Sequence, residues 1–188
     1  MRAASRIAAI AVPALLLTGC AAQARLSDLE TVLASRDSAT LALEDWCARR
    51  ALANPATIRA VPITQPDTPL PVDGRALLAA SADEPIAYRH VALACGDTVL
   101  SVAHNWYRPD KLTDAMNREL ANGQSSFGKV VAPLGYRRER LESAPGAGAG
   151  CPADTVLTHR ALLRLPDGAP LALLVECYTE ANLRADPT

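Results

Sequence analysis

The chain has 188 residues, a formal net charge of −1, and 49% hydrophobic residues against 4% aromatic. That length supports one domain with a substantial core rather than two, and a near-neutral balance without a basic run argues against nucleic acid as a partner. The cysteine spacings match no zinc pattern, so neither a metal site nor a cofactor is expected.

In chain order, Arg2 and Arg6 precede an apolar run over 7–17 that ends in Leu17-Thr18-Gly19-Cys20. A positive start, an apolar stretch of about 7 to 15 residues and a small-residue end describe an export signal, since a spanning helix needs roughly 20 apolar residues. Leu-Thr-Gly-Cys resembles a bacterial lipobox, in which the chain is cut before the cysteine and the thiol is acylated. That resemblance implies a signal at 1–19, a lipidated tether over 20–26 with Cys20 as the lipidation site, and a single domain over 27–188. Several acyl chains hold a protein firmly where one is marginal, and Ala21 is not the Asp that favours inner-membrane retention in lipoproteins. The expected location is therefore the outer membrane, facing the periplasm, with the membrane as a partner through the lipid anchor. The bland alternative is an ordinary cleaved signal with a chance cysteine. Four further cysteines, Cys47, Cys95, Cys151 and Cys177, are an even number, which in an oxidising compartment predicts two disulfides, or one bond and two buried thiols, with the pairing open.

Ser27 with Glu30, and Leu29, Val32 and Leu33 at helical spacing, predict a capped helix. A second helix is expected over 38–53, stopped by Pro55, then a strand at 57–63, a proline-rich loop at 65–71 and one helical turn at 77–80. Strand-like runs at 86–95 and 98–107 flank Gly96-Asp97 and read as a hairpin. Helical spacing follows over 110–120, then a loop at 123–128, a short apolar run at 129–134, a strand at 135–141 and a glycine-rich loop at 143–152. Runs at 156–165 and 171–179 around Pro166-Asp167-Gly168 form a second hairpin. Two hairpins, a third strand and several helices predict an α+β domain with a mostly antiparallel sheet.

Period-two alternation groups Arg89 with Val91, Leu93 and Cys95, and Glu176 with Ala172, Leu174 and Tyr178. Two charged side chains are thereby aimed among apolar ones, which is unfavourable unless each is neutralised. Arg89 either snorkels from an edge, meets an anion in a pocket, or pairs with Glu176. His90 and His104 lie opposite one another in the first hairpin, with Cys95 on the other face, an arrangement read as satisfied or surface histidines rather than metal ligands. No nucleophile elbow, phosphate-binding glycine loop or metalloprotease motif occurs.

The stretch 88–97 (YRHVALACGD) with Trp106 and Leu112, the segment 123–128 (GQSSFG), and 159–165 (HRALLRL) with Asp167-Gly168, Pro170-Leu171, Glu176 and Leu183 resemble the hairpins and loop of the chorismate lyase family. Arg36-Asp37-Ser38-Ala39 is similar to that family's first helix-bearing segment. The resemblance implies an antiparallel sheet with helices covering an internal ligand cavity, and elimination of pyruvate from chorismate or a related enol ether. It implies that Arg89 holds a carboxylate, that Glu176 manages a proton as the second catalytic residue, and that the Phe127 amide helps grip a small aromatic carboxylate ligand. Ser125-Ser126 and the bulky run 105–109 depart from the family pattern. The same fold also serves without catalysis in ligand-sensing domains of some transcription regulators. Two alternatives stand beside the lyase: a non-catalytic periplasmic lipoprotein binding a small aromatic carboxylate, and a structural envelope lipoprotein.

Overall fold

The computed structural model describes residues 15–64 and 67–185, so the first part of the expected signal lies outside the described residues. Helix α1 runs from Leu15 to Ala34 without interruption. The segment expected to be a tether and the helix expected to start at Ser27 are therefore one element. The run 21–26 is rich in strong helix formers, and Ser27 stands inside the helix, where its carbonyl accepts a bond from Thr31 Oγ1 at 2.9 Å. Leu29, Val32 and Leu33 bury its apolar stripe. Among the described residues no helix is long and apolar enough to cross a membrane.

Helix α2 (Ala39–Arg49) starts at Ser38, whose hydroxyl accepts from the Leu41 amide at 3.4 Å. It stops short of the expected end at 53, where Ala51 turns the chain with φ 48°. Strand β1 (Ile58–Pro62) and the short helix α3 (Gly74–Leu77) follow. Strands β2 (Ala87–Cys95) and β3 (Thr98–Tyr107) form the first hairpin, and Gly96 takes φ 55° in its turn, a conformation open to glycine at little cost. A 3₁₀ turn at Pro109–Lys111 separates β3 from α4 (Asp114–Ala121), because Thr113 rather than Asp110 caps that helix, accepting from the Met116 amide at 3.2 Å. Helix α5 (Phe127–Val131) leads through another 3₁₀ turn to β4 (Arg137–Pro145), β5 (Thr155–Arg164) and β6 (Pro170–Thr179).

The six strands form one antiparallel sheet in the order β1-β2-β3-β6-β5-β4, so the two hairpins meet along β3 and β6 at its centre. One face is covered by α1, α2, α4 and α5. There Leu43, Trp46 and Leu93 pack beside Tyr178, and Phe127, Val131, Leu163 and Leu174 pack further along. On the other face α3 and two loops cover Val102, Trp106, Leu162, Leu173 and Val175, with Leu78 inserted among them. Each fully buried leucine of this set contributes about 1.5 to 3 kcal/mol. The four cysteines form two disulfides, Cys47–Cys95 between α2 and the end of β2, and Cys151–Cys177 between the glycine-rich loop and β6.

Candidate functional site

On the helix-covered face, alternation turns Arg89, Glu176 and Tyr178 inward, and all three are buried. The register decides whether the two charges meet. Arg89 is opposite Asn105, Asn105 is opposite Leu174, and Glu176 is opposite Ala103. The two residues thus sit two strands apart and two positions out of step, roughly 12 Å between Cα atoms by strand spacing and rise. They are not a pair.

Glu176 is neutralised from β4 instead. Arg138 donates from Nη1 to Oε1 at 2.9 Å and from Nη2 to Oε2 at 2.5 Å, and the Tyr178 hydroxyl donates to Oε2 at 3.0 Å. Both charged side chains are enclosed, at 6% and 5% exposure. Burial by itself pushes the Glu176 carboxyl up, but the Arg138 charge and hydrogen bonds outweigh it and hold the group below the usual carboxylate range. Burial and the Glu176 charge push the Tyr178 hydroxyl well up, so it remains a donor. His159 Nδ1 lies 3.5 Å from Arg138 Nη2. Both Glu176 oxygens are engaged, which leaves that carboxylate charge-balanced.

Among the described residues no carboxylate is paired with Arg89. Its Nη2 donates to the carbonyls of Gly123 at 2.8 Å and Ser125 at 2.5 Å, while Nε and Nη1 are buried with no hydrogen-bond partner among the described residues. Burial lowers its pKa, with Tyr107 nearby acting in the opposite sense. The structure therefore does bring Arg89 to the segment that leads into Phe127. Phe127 starts α5, is 4% exposed, and packs on Tyr107 with ring centroids 5.1 Å apart. Helix α5 sits close upon α2: a Cβ at Gly128 would lie 2.8 Å from Ser38 Oγ.

Between the sheet and helices α2 and α5 the free space is about 30 Å³, bordered by Thr40, Asn105, Phe127, Arg138 and Glu176. That is about one water molecule's share of liquid volume, against the 300 to 1,000 Å³ of a typical ligand pocket. The expected internal ligand cavity is therefore corrected: Phe127 and the Arg138 guanidinium occupy the space it would need. Arg138 is the residue that sequence reasoning missed. Its position on a polar strand was legible, but not that the strand turns it inward against Glu176.

The opposite face carries an aromatic row. His90 and His104 stack at 4.2 Å between centroids, with Tyr88 and Trp106 beside them. His104 Nε2 lies 3.1 Å from the Gly150 carbonyl, so that nitrogen carries the proton, and Nδ1 accepts from the Tyr88 hydroxyl at 2.8 Å. Among the described residues there is no cluster that could hold a metal ion. Burial depresses His90, and it takes His104 and His159 down to about 4. Since the unfolded chain takes up these protons first, folded stability is complete above the ordinary histidine value near 6.5 and is lost as pH falls toward about 4. The unfolding free energy from urea titration, followed by far-ultraviolet circular dichroism, is expected to fall steadily over that window, by up to roughly 1.4 kcal/mol per pH unit for each of His104 and His159. A flat profile from pH 7 to 4.5 would contradict the buried neutral assignment.

Solved structures with a similar arrangement include an effector domain. PhnF from Mycobacterium smegmatis is similar with a TM-score of 0.56 and 11% identity, over 80% of this chain and 67% of that one. The effector domain of PhnF is similar with a TM-score of 0.54 and 12% identity, over 76% of this chain and 88% of the domain. The possible transcriptional regulator YydK from Bacillus subtilis subsp. subtilis str. 168 gives 0.46 and 14% over 70% of this chain, which spans 62% of that protein's length. Several GntR-family transcriptional regulators are also similar, again with TM-scores below 0.5. The class defined by the fold is thus an α+β domain, a six-stranded antiparallel sheet flanked by helices, built like these effector domains.

The chain is 39% identical over 177 residues to the uncharacterized protein y4mC of Sinorhizobium fredii (strain NBRC 101917 / NGR234), covering 84% of this chain and 75% of that protein, and it belongs to that protein's family. No protein-family model matches the chain.

These findings correct the chorismate lyase expectation in both family and activity. The residues that carried it, a strand of alternating character, a glycine turn and a second strand, are what any antiparallel hairpin requires, so they report geometry rather than lyase chemistry. The likeness in fold to effector domains likewise corrects the expected outer-membrane lipoprotein facing the periplasm, its membrane partner, the small aromatic carboxylate partner and the exclusion of nucleic acid. The location and membrane readings rested on twenty terminal residues, the exclusion of nucleic acid on net charge, and the carboxylate partner on the chorismate lyase resemblance.

Proposed function

We propose that this domain is a non-catalytic effector-type module in which Arg89 is the ligand-reading group for a small molecule bearing an anionic moiety. The observation that carries the reading is a guanidinium at 8% exposure whose Nε and Nη1 have no partner among the described residues, and whose Nη2 meets only two lid carbonyls. A buried cation without a counter-charge is unfavourable by several kcal/mol, and an anion placed against its open edge offsets that penalty. Glu176 does not compete, because Arg138 already neutralises it.

The closed space sets how such a ligand enters. The segment 122–134 forms the lid, tied down by Arg89 at the Gly123 and Ser125 carbonyls and by Lys129 Nζ to Glu44 Oε1 at 2.5 Å. An anion takes the guanidinium from those carbonyls and the lid swings out, which converts occupancy into movement. That coupling is what an effector module requires. The likeness to the PhnF effector domain supports this reading at the level of fold.

Calorimetric titration of the purified chain with inorganic phosphate, sulfate and acetate, alongside amide hydrogen exchange over 122–134, tests it. Saturable binding with faster exchange in the lid is expected, and Arg89→Gln should weaken it at least about tenfold while Arg89→Lys keeps a part. Binding by Arg89→Gln equal to wild type, or no binding by any anion, assigns Arg89 a purely structural role as the lid's clamp.

A further inference from the structure

The face opposite Arg89 carries a separate cleft of about 460 Å³, within the range of small-molecule pockets. Its two walls are loops, and each is tied to the same strand. Trp106 Nε1 donates to the Thr68 carbonyl at 3.2 Å, which holds the proline-rich wall of Thr68, Pro69 and Pro71. His104, two residues earlier on β3, holds the glycine-rich wall through the Gly150 carbonyl at 3.1 Å.

That second wall is fastened at further points. The Gly148 amide donates to Thr158 Oγ1 at 2.9 Å, Thr158 Oγ1 donates to the Gly146 carbonyl at 2.7 Å, and Cys151 is bonded to Cys177 on β6. Gly148 has to be glycine for so close a seat, since a Cβ there would lie 2.9 Å from Thr158 Cγ2. A glycine-rich loop carries a large ordering entropy, so its attachment along the cleft makes a pre-formed wall rather than a mobile cover. Trp106 and Val175 lie between the walls and supply an apolar base.

The charged groups bordering the cleft are Asp73, Glu142 and Arg160. Arg160 is hydrogen-bonded to Asp73 and stands opposite Glu142 in the β4–β5 register. Two carboxylates against one guanidinium leave the rim with one uncompensated negative charge beside an indole. We infer that this cleft is a second ligand site, and that it takes a small organic cation: a ring or branched alkyl body on Trp106 and Val175, with a protonated amine toward Asp73 and Glu142. Apolar contact, attraction of ammonium to carboxylate and cation–π attraction to the indole all favour that occupant over a neutral or anionic one.

Titration of the full chain with benzylamine, benzyl alcohol and benzoate, read at the Trp106 indole N–H signal by nuclear magnetic resonance, tests the inference. Saturable shifts at millimolar benzylamine are expected, with benzoate at least about tenfold weaker. The double variant Asp73→Asn, Glu142→Gln should lose about fivefold or more in benzylamine affinity and gain in benzoate affinity. Ala149→Trp, placed on the exposed glycine-rich wall, should fill the cleft and abolish the response, while the remaining spectrum reports that the fold is intact. Arg89→Gln should leave benzylamine binding unchanged, which separates this site from the lid site. No saturable shift, equal binding of benzoate and benzylamine, or full binding by Ala149→Trp would each overturn it.

Discussion

Arg138→Met is expected to destabilise the fold by roughly 3 to 5 kcal/mol, the usual loss when one partner of a buried ion pair is removed. The variant leaves Glu176 enclosed at 5% side-chain exposure with only the Tyr178 hydroxyl to bond it. Its pH dependence should reverse sign in the acid range. In the wild type the carboxyl is held below its ordinary value, so its contribution is present above that value and is lost as pH falls through the folded one. Without Arg138, burial pushes the carboxyl up against only the smaller opposing effects of His159 and the Tyr178 hydrogen bond. The unfolded chain then releases the proton first, and the variant becomes less stable as pH rises above the usual carboxylate range. Urea unfolding of both proteins at a series of pH values between 4 and 8 reads this directly. A double variant, Arg138→Met with Glu176→Leu, should recover much of the loss, because the apolar pair leaves no unpaired charge behind. If the single substitution proves as mild as a surface change, the buried pair is not what holds β4 to the sheet centre.

The second large effect is expected from the disulfides. Cys47–Cys95 closes a separation of 48 residues and Cys151–Cys177 one of 26, which in the chain-entropy account stabilises by roughly 3.5 to 4 kcal/mol each. Cys47→Ala with Cys95→Ala should lower global stability by about that amount, because the bond ties α2 to the end of β2 within the main core. Cys151→Ala with Cys177→Ala should act partly locally as well. It frees the glycine-rich wall, so amide exchange over 146–151 should rise even under conditions where the rest of the chain is folded. Unfolding with and without reductant, together with a free-thiol count on the native protein, checks both. Detection of four reactive thiols in the native state would rule the pairing out.

Much of the local structure was legible from the residues. The turn at Gly96-Asp97 and the turn at Asp167-Gly168 mark both hairpins, and alternation along β2 and β6 orients Arg89 and Glu176 to the same face. Ser38 announces α2 through its side chain. These succeed because each depends on a few neighbouring residues: a positive φ, a period of two, a hydroxyl near an orphan amide. Ser27 was read as the start of a helix, whereas α1 already runs through it, since the small and apolar residues just before Ser27 suit a helix as well.

By itself, then, the amino-acid order determined where strands turn, which side chains point together and that two charges would be enclosed. What tertiary structure alone decided was who neutralises whom. Arg89 and Glu176 lie 87 positions apart and share a face, yet strand order and register put β4 rather than β2 within reach of Glu176 and leave Arg89 to the lid. Face depends on local alternation, whereas partnership depends on the order in which strands far apart in the chain are laid side by side, and that order is set by the burial of the whole sheet between its two layers.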